Sequence, residues 1–150
     1  MPSVGMTTNS PPQPGADAFH RERSKCLDAF AALEEAVILA LAKSGSKSGG
    51  EPFGKKIETL KKSKPTATFN SAAHGAMTRL VTEIEPILDV RNDLVHARLQ
   101  IAKIGEDQRA CFINARHCES GTQTARLFSL ESLREVTRKA SQIAEKLRAV

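Results

Sequence analysis

Apolar positions recur along this chain at spacings that change twice, and the changes divide it into helices and strands. From Asp17 to about Lys43, Phe19, Cys26, Phe30, Leu33, Val37, Ile38 and Leu41 follow one another at intervals of three, four and seven, the period of an amphipathic helix. The run Ser44–Gly50, with glycines at 45, 49 and 50, ends that helix in a flexible loop. A short helix is predicted over Pro52–Lys62, with proline at its start and Phe53, Ile57 and Leu60 along a narrow apolar edge. Asn70 or Ser71 can cap a third helix. Its stripe comprises Met77, Leu80, Ile84, Ile87, Leu88, Leu94 and Val95, and Pro86 within it predicts a kink or break around residues 82–86.

Beyond His96 the period becomes two. Leu99 and Ile101 alternate with polar residues, Gly105-Glu106-Asp107 reads as a turn, and Cys111-Phe112-Ile113 and Ala125-Arg126-Leu127-Phe128 read as further short strands. Ser129 then opens a last helix with Leu133, Val136, Ile143 and Leu147 inward and Glu131 in its first turn. The predicted fold is mainly α: a helical bundle over 17–150, with a small β-meander at about 98–128 inserted before the C-terminal helix. Residues 1–16 up to Ala16 hold no charged side chain and are rich in Pro, Ser, Thr and Gly, so they are expected to form a disordered tail.

A chain of 150 residues makes one domain, and 40% hydrophobic with 26% charged residues is ordinary for a globular protein. With no Trp or Tyr, a surface reading single-stranded bases by aromatic stacking is disfavoured. The net charge of +5 is uneven: residues 1–96 carry 12 basic and 11 acidic groups, residues 97–150 carry 10 and 6. That excess suits phosphate binding without requiring it. Cys26, Cys111 and Cys118 follow no metal-ligand spacing, and His117 beside Cys118 would point to the opposite face of a strand. Reduced thiols in a cytoplasmic protein, with no metal and no cofactor, are the expectation. No apolar run is long enough to span a bilayer and no secretion signal is legible, so no membrane partner is expected.

Candidate chemistry concentrates in Arg91-Asn92-Asp93-Leu94-Val95-His96. Arg91 falls along the centre of the apolar face of the third helix, where a permanent charge needs a carboxylate, a bound anion or an interface. His96 is the side chain best able to move a proton near neutral pH. Five residues correspond to roughly 140° around an ideal helix, so the two side chains diverge, while Asn92 and His96 share a side. A common cleft needs a second copy across a two-fold axis, or a helix distortion after Pro86. In such a cleft Arg91 would neutralise a phosphate, His96 would exchange a proton with a ribose 2′-hydroxyl and the leaving oxygen, and Asn92 would orient the imidazole or the phosphate. A structural reading stands beside this one, with Arg91 paired to Asp89, Asp93 or an acidic residue of another helix and His96 a helix cap. The lysines at 55, 56, 61, 62 and 64 read as a solvated face, with Lys55 and Lys56 the candidates for contact with a phosphate backbone.

The six-residue segment resembles the Arg-x(4–6)-His signature of the HEPN superfamily, in which a polar residue commonly follows the arginine. The long first helix, the short helix with Phe53-Gly54-Lys55-Lys56-Ile57-Glu58-Thr59-Leu60, and the final helix introduced by Phe128-Ser129-Leu130-Glu131-Ser132-Leu133 are similar too. The likeness spans roughly residues 19–147, and the meander departs from the simple bundle. It implies a HEPN-like helical bundle that dimerises through the motif helices. It also implies a metal-independent endoribonuclease with Arg91 and His96 as catalytic pair and Asn92 beside them, acting on RNA in a toxin, defence or processing setting with a cognate antitoxin or other protein partner. The same family holds non-catalytic binding and dimerisation modules, which is the alternative the resemblance leaves open.

Overall fold

A computed structural model describes residues 15–47, 49–119 and 122–150, with the backbone alone for 114–119 and 122–124. Four helices and three strands follow in the order α1 (Ala16–Lys43), α2 (Phe53–Lys62), α3 (Ser71–His96), β1 (Arg98–Ile104), β2 (Asp107–Glu119), β3 (Thr122–Phe128) and α4 (Leu130–Arg148). The expected mainly helical bundle, with a small antiparallel sheet before its last helix, is what forms. The tail expectation falls on residues 1–14, which lie outside the described residues.

The helix ends follow from local chemistry. α1 stops in a Schellman turn: Gly45 adopts φ +77°, Gly45 N–H donates to Ala42 O at 3.1 Å and Ser46 N–H to Leu41 O at 2.9 Å. Asn70 caps α3 by accepting from Ala73 N–H at 3.0 Å, and Ser129 caps α4 by accepting from Ser132 N–H at 3.0 Å. α3 runs uninterrupted through Pro86 instead of breaking there. Both Pro86 and Thr82, whose carbonyl loses its intrahelical donor, are exposed, so water can satisfy that carbonyl and the helix continues.

The core is built around α1, whose Phe19, Cys26, Phe30, Leu33, Val37 and Leu41 are all buried. α4 lies alongside it in the same direction: Glu22 meets Thr137, and further along both helices Glu35 meets Arg148. Ala140 and Ala144, together with Leu133, Ile143 and Leu147, form the buried face of α4. From α3, Met77, Val81, Ile84, Ile87, Val90 and Leu94 join the same core, packed against both α1 and α4. Each such side chain stabilises the fold by about 1.5–3 kcal/mol relative to leaving it in water.

The sheet has order β1-β2-β3, all antiparallel. Its first hairpin is a two-residue turn, with Ile104 opposite Asp107 and Gly105 at φ +65°, a conformation that favours glycine. Arg98 faces Ile113, so β2 runs on past the start of β1, where it pairs with β3 alone. β2 and β3 are thus longer than their apolar cores at 111–113 and 125–128 suggest. Phe112 of β2 is fully buried and meets Phe128 of β3 edge-on at 5.8 Å, anchoring the sheet to the bundle.

Candidate functional site

The last two turns of α3 carry the segment from Arg91 to His96, and three elements converge on them. Asp93 is buried and accepts from Arg126 Nε of β3 at 2.5 Å. Arg23 of α1 donates to Leu94 O at 3.2 and 2.7 Å and to Ala97 O at 3.1 Å, with its guanidinium carbon 5.9 Å from the centre of the Phe112 ring. The C-terminal carbonyls of a helix lack intrahelical donors and bear partial negative charge, so a guanidinium there satisfies both needs. The bonded carbonyls flank His96 in sequence, so the turn that presents His96 is clamped from both sides.

Arg91 sits one turn earlier in a different setting. Its guanidinium carbon lies 5.5 Å from the centre of the Phe53 ring of α2, and Nη2 is 3.5 Å from Glu34 Oε2 of α1. The side chain keeps 24% of its exposure, so its remaining donors reach solvent. Glu34 is shared: its other oxygen, Oε1, accepts from Lys56 Nζ at 3.0 Å, and Lys56 also donates to Glu51 O at 2.9 Å. One carboxylate therefore stands between two cations, and the cluster keeps an excess of positive charge.

The candidates from the sequence are distributed as follows. Arg91 turns toward α1 and α2, Asn92 is half-buried, and His96 is exposed at the end of the helix. Because α3 is a regular helix across this stretch, Arg91 and His96 diverge by roughly 140° and do not converge within one chain. Lys55 stays in solvent, 3.9 Å from Glu58. Lys56 departs from the solvated face expected of the lysine run: it is buried and held by Glu34, so a direct contact to a phosphate backbone is not open to it. Three residues after Phe53 and four before Leu60, it falls on the apolar edge of α2, and that spacing is the signal its membership of a charge run obscures. Lys61 is drawn to Glu85 of α3, so two of the five lysines serve inter-helix ion pairs.

Two residues that organise the site carry the same sequence signal as Arg91. Arg23 is four residues after Phe19 and three before Cys26; Glu34 is four after Phe30 and three before Val37. Each is a charge on an apolar stripe.

Away from this cluster, Glu22 is buried on α1, accepting from Thr137 Oγ1 at 3.0 Å with Arg134 Nε at 3.9 Å. Beside it, burial above all pushes the Cys26 thiol up to about 11, with Glu22 adding to the rise and a hydrogen bond with Thr137 opposing it. A buried thiol of that kind is no nucleophile at neutral pH. Cys111 is a second free thiol, and the His117–Cys118 pair lies outside the described side chains. Among the described residues no three metal-ligating side chains stand together, and no helix is long and apolar enough to cross a membrane. An open groove of about 430 Å³ runs between α3 and α4, lined by Glu83, Ile87, Glu135, Val136, Arg138 and Lys139 among others. Comparison with known protein families, with curated proteins and with solved structures found no match to this chain.

Proposed function

We propose that this chain is a HEPN-like RNA-binding protein that works as a homodimer and cleaves RNA without a metal. The observation that carries the reading is the state of Arg91: a guanidinium braced on Phe53, engaged by a single 3.5 Å ion contact, with donors left open to solvent one turn before an exposed histidine. Their divergence on one helix is the reason a second copy is required, each chain supplying Arg91 to one side of a shared cleft and His96 to the other.

In that cleft Arg91 would hold the scissile phosphate with its planar fork. One His96, neutral, takes the proton of the ribose 2′-hydroxyl as the 2′-oxygen bonds to phosphorus. The second, protonated, gives its proton to the departing 5′-oxygen as the P–O5′ bond breaks. The products are a 2′,3′-cyclic phosphate and a 5′-hydroxyl, and proton transfer of this kind contributes about 10²–10⁴-fold. Asn92 would orient either group. A toxin or defence setting, with an antitoxin as protein partner, accompanies the family reading and rests on it alone. The test is purified protein with single-stranded RNA in EDTA: wild type yields 2′,3′-cyclic ends, and Arg91→Ala and His96→Ala abolish them. Turnover that persists in both variants removes the assignment.

The contact of Arg91 with Glu34 favours a second reading, a non-catalytic interaction or dimerisation module in which Arg91 is a structural ion pair. Its signature is a wild type that turns over no RNA and an Arg91→Ala protein that loses its dimer or much of its melting temperature.

A further inference from the structure

Lys56 and Arg91 hold Glu34 unequally. Lys56 makes a hydrogen bond of 3.0 Å to Oε1 from a buried position, whereas Arg91 stands 3.5 Å from Oε2 and makes no hydrogen bond to any described residue. Phe53 keeps the guanidinium in place without using any of its donors. If Arg91 were drawn away, Glu34 would not be orphaned, because Lys56 retains it; Arg91 can therefore exchange its carboxylate for another anion at low cost.

We propose that this cluster is a guarded phosphate site: Glu34 is the internal anion beside the partly exposed Arg91, and the phosphate of an RNA backbone enters by taking Arg91 from Glu34, which falls back on Lys56. The proposal rests on Arg91 as the phosphate contact. It adds that affinity is set by two residues, Glu34 and Lys56, that the phosphate itself need not touch. They act in opposite directions. Removing the charge of Glu34 frees Arg91 and raises affinity. Removing the charge of Lys56 leaves Glu34 to Arg91 alone and lowers it, although Lys56 is buried.

The test is an NMR titration of wild type, Glu34→Gln, Lys56→Met and Arg91→Met with inorganic phosphate, following the backbone amides of residues 53 and 91. Glu34→Gln is expected to lower Kd about three- to tenfold, Lys56→Met to raise it by a similar factor, and Arg91→Met to abolish the response. Should Glu34→Gln fail to fold with Lys56 left facing only a carbonyl, Lys56→Met carries the test, since it replaces a buried ammonium with an apolar chain of similar length. Equal affinity in wild type and Lys56→Met, or binding that survives Arg91→Met, overturns the proposal. RNA turnover by a wild type whose phosphate affinity ignores Lys56→Met removes the guard and leaves the nuclease standing. A graded phosphate response without RNA turnover upholds the guard and removes the nuclease.

Discussion

Arg23 and Arg91, two of the arginines at the C-terminal end of α3, are spent differently. Arg23 reaches across from α1 and donates three hydrogen bonds to the carbonyls of Leu94 and Ala97. Arg91, on α3 itself, rests on Phe53 with one ion contact at 3.5 Å. Both are charges on apolar stripes, and both stack on a phenylalanine. The difference lies in their donors: those of Arg23 bond main-chain oxygen, while those of Arg91 remain for something else. The hydrogen bonds of Arg23 close a helix end, whereas a ring and a shared carboxylate hold Arg91 and leave part of its guanidinium exposed.

The comparison predicts a graded set of effects. The largest belongs to Arg23→Ala, which strips the end of α3 of its donors and should cost about 2–4 kcal/mol by urea unfolding. A loss below 1 kcal/mol would mean that water replaces the guanidinium without penalty. Next is an alkaline effect from Cys26. The unfolded thiol ionises near 9.0 and the buried one near 11, so as pH rises between those values the unfolded state loses its proton first and stability falls. The loss should approach about 2 kcal/mol by pH 11, and the slope contributed by this thiol should vanish in Cys26→Ala. A smaller effect is expected of Asp93→Asn, about 1–2 kcal/mol, because it discharges a buried carboxylate, and Arg126, one of the groups that meet it, is half-exposed and can turn to water. Arg91→Ala should come last, at no more than about 1 kcal/mol, since among the described residues it removes a cation–π contact and one partly exposed ion pair.

Much of this arrangement is written in the spacing of apolar residues. The periods of three and four located all four helices, the period of two located the sheet, and the caps at Asn70 and Ser129 lie where short polar residues precede apolar runs. The exceptions have physical causes. Pro86 predicts a break in α3 but lies on a wetted side where its missing bond is tolerated. Ile38 lies at the edge of its stripe and is exposed. Val95 is exposed although it repeats the helix angle of Met77, because over the last turns of α3 the buried side shifts to Val90, Asp93 and Leu94.

The site was half legible. Arg91 stands out as a charge among apolar residues, and Arg23, Glu34 and Lys56 obey the same rule on their own helices. Which charge meets which cannot be read from one helix at a time, because the ion pairs run between α1, α2 and α3 and depend on how those helices pack.

One measurement tests the division most directly: melting temperature and RNA turnover on the same samples of wild type, Arg23→Ala and Arg91→Ala. The expected result is crossed. Arg91→Ala keeps the wild-type melting temperature to within a few degrees and loses turnover, while Arg23→Ala melts well below wild type and keeps a reduced but measurable turnover at temperatures where it is folded. An Arg91→Ala protein that melts as low as Arg23→Ala, or that cleaves RNA at the wild-type rate, would contradict it.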